Sequence, residues 1–111
     1  MRINQKDLVL LPYPFSNLKE KKMRPALVVS SNNFNSICSD CIAVPLTSVI
    51  KEEPFSVLIN QADLSNGKLI KASRIRIDKI FSVEKKIIRM KIGSVSDTFF
   101  DKIKFEISEI F

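Results

Sequence analysis

The feature that most constrains this chain is a succession of short apolar, β-branched runs, each closed off by proline, asparagine, glycine or charged residues. The first, Lys6–Tyr13, ends where Pro12 and Pro14 bound a turn. Pro25–Ser31 is the second, Cys41–Val49 the third and Phe55–Asn60 the fourth. A polar, basic loop at Pro14–Arg24, a turn-rich segment at Asn32–Asp40 and a charged turn at Lys51–Pro54 separate them. Ala62–Gly67 reads as one short helical turn followed by the Asn66–Gly67 turn signal. In Leu69–Val83, Ile75 and Ile77 alternate with Arg74, Arg76 and Asp78, the period of two of a strand with one buried and one wet face. Met90–Val95 adds a short strand. Only the tail changes period. Phe99, Phe100, Ile103, Ile107 and Ile110 fall at helical spacing across Asp97–Ile110, with Ser96 placed to cap the helix and Asp97 suited to its first turn. The stripe reads as core, with a dimer contact at one edge as the alternative. Five or six short strands and one terminal helix predict a mainly β fold, a small, mostly antiparallel barrel, as one domain over 1–111.

Composition narrows the chemistry. At 45% hydrophobic and 27% charged, the chain can form its own core without a disulfide or metal staple. Eighteen Lys and Arg against twelve Asp and Glu give a formal net charge of +6, which favours an anionic partner or serves solubility. There is no histidine, which removes the usual neutral-pH base, the commonest zinc ligand and the Ser-His and Cys-His nucleophile arrangements. With two glycines in the chain, a glycine-rich phosphate cradle is excluded. Cys38 and Cys41 form a lone C-x-x-C with no further Cys or His to complete a zinc site and no thioredoxin-like context, so they read as reduced, incidental thiols. No stretch approaches the ~20 apolar residues of a membrane span, and the N-terminus lacks a signal-peptide pattern. No membrane association and a cytoplasmic location are the expectations.

Four segments, in order, carry a resemblance. They are KDLVLLPYPF at 6–15, KKMRPALVVSS at 21–31, IAVPLTSVI at 42–50 and ASRIRIDKIFSVEKK at 72–86, with a weaker continuation through KIGSVS into the final helix. Together they resemble the MazF/PemK family of toxins from type II toxin–antitoxin systems. The resemblance implies an SH3-like, partly open antiparallel barrel with a C-terminal helix, of the kind shared by MazF, CcdB and Kid toxins. It implies a homodimer that cuts single-stranded RNA at selected sequences, needing neither metal nor cofactor. It also implies an antitoxin partner that lays an acidic, disordered segment along the RNA groove.

Individual residues take their expected roles from this likeness combined with their own chemistry. Arg24 precedes Pro25, which restricts it to extended backbone and so aims its side chain from a strand end. A guanidinium forks onto phosphate and stays charged at any working pH, which suits a pentacoordinate phosphorus transition state. Taken alone, Arg24 also reads as a solvated strand-end arginine; the resemblance makes it catalytic. Thr47, after Pro45, reads alone as an ordinary strand threonine. The resemblance makes its hydroxyl the catalytic partner of Arg24, with Ser48 beside it on the RNA. Arg76 and Asp78, two apart on a strand, would share a face and either hold RNA or form a surface ion pair. In the basic loop, Lys21 and Lys22 would attract phosphates, Glu20 stands among them, and Phe15 reads as a base-stacking ring or a core residue.

The simplest cleavage open to such a chain uses the substrate's own 2′-hydroxyl, leaving a 2′,3′-cyclic phosphate and a 5′-hydroxyl. Arginine is a poor proton acceptor, with a pKa above ~12, so the base would be Asp78, Glu20 or water. Two other functions compete on the same barrel. A gyrase-poisoning toxin would resemble its relatives at a tryptophan-containing tail, but this chain has no tryptophan and ends Glu109-Ile110-Phe111. A plain nucleic-acid-binding or adaptor module would tolerate Arg24→Ala.

Overall fold

A computed structural model describes residues 1–12, 23–48 and 51–111. Eight strands and two helices lie among them. The strands are β1 (Asp7–Pro12), β2 (Met23–Val28), β3 (Asp40–Thr47), β4 (Ser56–Ile59), β5 (Leu64–Gly67), β6 (Ser73–Arg76), β7 (Phe81–Glu84) and β8 (Met90–Val95). The helices are α1 (Asn32–Ile37) and α2 (Asp97–Ser108). All strand pairs are antiparallel, in the order β4-β6-β3-β2-β1-β8-β5, with β7 also on β3. The sheet curls because β3 serves two partners along one edge: β7 beside Asp40–Ala43, and β6 beside Leu46 and Thr47. The result is the expected partly open barrel with its C-terminal helix.

Burial explains why the early runs are apolar throughout while the later ones alternate. Leu8, Leu27, Val44 and Leu46 face a cluster completed by Val57, Ile59, Ile75, Ile77 and the α2 residues Phe99, Phe100 and Ile103. Their sequence neighbours Val9, Leu11, Ala26, Val28, Cys41 and Ala43 face a second cluster under Ile3, Phe81, Val83 and Ile88. The strands β1, β2 and β3 are therefore covered on both faces, a condition that turns alternation into a continuous apolar run. By contrast, β4 and β6 keep one wet face and alternate.

The terminal helix forms as expected. Ser96 Oγ accepts a hydrogen bond from the Phe99 N–H at 3.2 Å, and Phe99, Phe100 and Ile103 are buried, each contributing about 1.5–3 kcal/mol. The helix stops at Ser108, short of the exposed Ile110. Asp97 in its first turn meets Lys6 Nζ at 2.6 Å, which holds its carboxyl below the usual range.

Four local expectations are corrected. The Asn32–Asp40 segment contains α1, although Asn and Ser are weak helix formers. Tertiary bonds override propensity there: Ser31 caps the helix, buried Asn35 exchanges hydrogen bonds with Ser30, and Lys85 Nζ donates to the Asn35 carbonyl at 2.5 Å. The short helical turn is Gln61–Asp63, and the Asn66–Gly67 pair after it is no hairpin turn but the end of β5. Gly67, at φ +84°, lies opposite Gly93, where added Cβ atoms would come within 2.2 Å of the Ile92 carbonyl oxygen and 2.5 Å of the Asn66 carbonyl oxygen. The chain's two glycines thus serve one close approach of backbones. Finally, Leu69–Val83 is not one strand. A 3-10 turn at Ile77–Lys79 separates β6 from β7, carrying the chain past the part of β3 that curls between its two partners.

Candidate functional site

Arg24 is exposed near the start of β2, just ahead of Pro25, and pairs with Leu11 of β1. The β2–β3 ladder runs from Val28↔Ala43 to Ala26↔Pro45. The strands that carry Arg24 and Thr47 are therefore neighbours in the sheet. On its other edge, Thr47 is paired directly with Arg74 of β6. Directly opposed residues in an antiparallel sheet share a face, with Cβ atoms about 4.5–5.5 Å apart. Thr47 and Arg74 therefore stand side by side, and β2, which carries Arg24, runs along the other edge of β3. Arg24 and Thr47 also line a cavity of about 500 Å³, together with Met23, Leu46, Ser48, Ile70 and Lys71. Arg24 and Thr47 thus sit on neighbouring strands and border the same cavity.

Ser48, exposed, lines that cavity as well. Arg76 and Asp78 do meet, but not as two residues of one strand. The strand ends at Arg76, and Asp78 sits in the 3-10 turn that follows. There Arg76 Nε donates to Asp78 Oδ1 at 3.2 Å and Nη2 to Oδ2 at 3.1 Å, while Nη1 lies 3.2 Å from Glu53 Oε2. The bidentate bond lowers the Asp78 pKa and raises that of Arg76. Two carboxylates thus balance the Arg76 charge. Phe15, Glu20, Lys21 and Lys22 lie outside the described residues.

Sequence reasoning read Arg74 only as one member of an alternating strand. The period of two already placed it on the Arg76 face; what was not legible was its neighbour across the sheet. Its guanidinium is fastened to β4, with Nε donating to Ser56 Oγ at 2.9 Å and Nη2 to the Ser56 carbonyl at 3.2 Å.

A second cavity, of about 390 Å³, lies between the N-terminal segment, α1 and the turn after β7. It carries Arg2, Lys85 and Lys86, of which Lys85 is bound to Asn35 and Lys86 to Glu84. None of the residues singled out in the sequence for catalysis or RNA binding lines it. The thiols nearby are free, and burial pushes Cys41 up to about 11, so it stays protonated at neutral pH.

Comparison with solved structures finds the same architecture. An endoribonuclease from a mycobacterial species, solved in complex with its cognate antitoxin, superposes with a TM-score of 0.78 at 20% identity, over 96% of this chain and 92% of that one. MazF from Deinococcus radiodurans gives 0.77 at 21% identity, over 99% and 96%. A MazE–MazF complex from the same organism gives 0.76 at 20% identity, over 99% and 95%. At these identities the likeness carries the fold. A search of curated proteins finds no match. The sequence itself settles the family, because the model of PemK-like, MazF-like toxins of type II toxin–antitoxin systems matches residues 4–111, and this chain belongs to that family.

Proposed function

We propose that the chain is the toxin of a toxin–antitoxin pair and acts as a metal-independent, sequence-selective endoribonuclease on single-stranded RNA. The observation that carries this reading is that Arg24 and Thr47, on the paired strands β2 and β3, line one cavity. The net charge of +6 and the family membership support it.

In this mechanism the RNA 2′-oxygen attacks the adjacent phosphorus, the 2′-O–P bond forms and the P–O5′ bond breaks. Arg24 stabilises the charge that builds on the non-bridging oxygens, and Thr47 donates to one of them. The 2′-proton leaves to an acceptor and O5′ takes a proton from solvent, giving 2′,3′-cyclic phosphate and 5′-hydroxyl ends. Asp78 is a poorer acceptor than an ordinary carboxylate, since Arg76 holds its pKa down, so the acceptor is water or Glu20. Ser48, Arg76, Lys21, Lys22 and Phe15 would contact the RNA beyond the scissile phosphate.

The partners follow from the same reading. A homodimer, cytoplasmic and built from one domain over 1–111, would be silenced by an acidic antitoxin competing for the basic face. Structures of an endoribonuclease with its cognate antitoxin and of MazE–MazF support the antitoxin partner.

The test is incubation of the purified protein with a long RNA in EDTA, followed by mapping of ends. Discrete cuts with cyclic-phosphate ends are expected, lost on 2′-deoxy substitution at the cleavage position. Intact RNA, or cutting that ignores the missing 2′-hydroxyl, would overturn the reading.

A further inference from the structure

Thr47, which lines the cavity with Arg24, is paired across the sheet with Arg74, whose surroundings differ from those of the next arginine on the strand. Arg74 and Arg76 stand two apart on β6 and point to the same face. Their surroundings are opposite. Arg76 is held between Asp78 and Glu53. Among the described residues, Arg74 has no carboxylate partner; it is held by Ser56 alone, a neutral residue. Ser56 Oγ in turn donates to the Glu53 carbonyl oxygen at 2.7 Å, which fixes it as an acceptor for Arg74 Nε. Two of the five guanidinium N–H donors of Arg74 are used in this way, and three remain without a partner among the described residues. A half-buried guanidinium oriented by a neutral residue, with donors to spare among the described residues, is suited to receive an anion.

We propose that Arg74, positioned by Ser56, binds an RNA backbone phosphate next to the scissile one, so that the strand runs across the sheet from Arg24 over Thr47 to Arg74. The inference rests on the ribonuclease reading above. Adjacent strands are about 4.8 Å apart, so β2 and β6, which carry Arg24 and Arg74, flank β3 with roughly 10 Å between their backbones. One cation then serves the reacting phosphate, and the other fixes the register of the chain that carries it. Arg76, with its charge balanced, is not the main phosphate ligand of β6.

The test measures binding separately from cutting. A mixed-sequence 2′-O-methyl RNA, which cannot be cleaved, is titrated by fluorescence anisotropy at several salt concentrations against wild type, Arg74→Ala, Arg74→Lys and Ser56→Ala. Arg74→Ala is expected to weaken binding about tenfold and to reduce the salt slope by about 0.7, the loss of one phosphate contact on a single strand. Arg74→Lys should restore the slope but not the full affinity. Ser56→Ala should weaken binding about threefold with the slope unchanged, because the charge remains while its orientation is freed. On cleavable RNA, KM should rise with Arg74→Ala while kcat stays within about threefold.

Wild-type affinity and slope in a folded Arg74→Ala protein would overturn the proposal while leaving the ribonuclease reading intact. So would a collapse of kcat with binding unchanged. If Arg74→Ala fails to fold, Arg74→Lys and Ser56→Ala decide the matter by the same measurements, wild-type affinity in both overturning it. A wild-type protein that neither binds nor cuts RNA would remove both readings together.

Discussion

The same strands behave differently at their two ends. Where β2 and β3 begin their shared ladder, Val28, Ala43 and Cys41 lie under Phe81, Val83 and Ile88, and that face of the sheet is sealed. A few residues along, the strands emerge from this cover, and the side chains on the same face become Arg24, Thr47 and, on β6, Arg74. One end is a core and the other a charged surface, although the backbone geometry is continuous. On the proposed function, the closed half of the sheet is the support and the open half carries the groups that act on RNA. Positions can be assigned to either task by what covers them.

The largest effect should come from the open end. Arg24→Ala is expected to lower RNA cleavage at least ~100-fold, the size seen when one transition-state donor is removed. Its denaturation midpoint should match wild type, since Arg24 is exposed. A parallel fall in activity and stability would break the division of labour. At the closed end the order reverses. Phe81→Ala should cost about 3–5 kcal/mol of stability in urea titrations. Cys41 gives a second readout of that end: with its pKa at about 11, roughly one thiol in a thousand is ionised at pH 8. Alkylation of Cys41 should be slow in the native protein and faster in Phe81→Ala, in step with the lost stability.

Smaller effects sharpen the picture further out. Gly67→Ala should destabilise by about 1–3 kcal/mol, because its Cβ would meet the Ile92 carbonyl oxygen at 2.2 Å on a backbone at φ +84°. Full stability would show that β5 and β8 can part without consequence. The smallest change is at the balanced ion pair. Asp78→Asn should cost about 0.2–1 kcal/mol at pH 7, as expected for a partly exposed pair. The folded Asp78 pKa is lowered, so its contribution is present above the ordinary carboxylate range and disappears as pH falls through the lowered value. The midpoints of wild type and Asp78→Asn should therefore converge in acid; a gap that persists there would show that the cost is not electrostatic.

Local chemistry was enough to read much of this protein. The apolar runs announced β1 to β4, the helical period and Ser96 announced α2, and the alternation of Ile75 and Ile77 with the arginines announced which residues of β6 face water. The Arg24–Pro25 step was visible as a strand-end cation. Each of these signals is complete within a few residues, which is the range over which propensity, capping and pleat operate. What tertiary structure alone decided were the encounters between distant residues: Thr47 beside Arg74, Arg24 and Thr47 on one cavity, Arg74 on Ser56, Gly67 against Gly93, and α1 held together by Ser30 and Lys85. Strand register and the bending of β3 around two partners arise only when both faces of the sheet are packed, so a sequence states which residues will be buried long before it states whom they will meet.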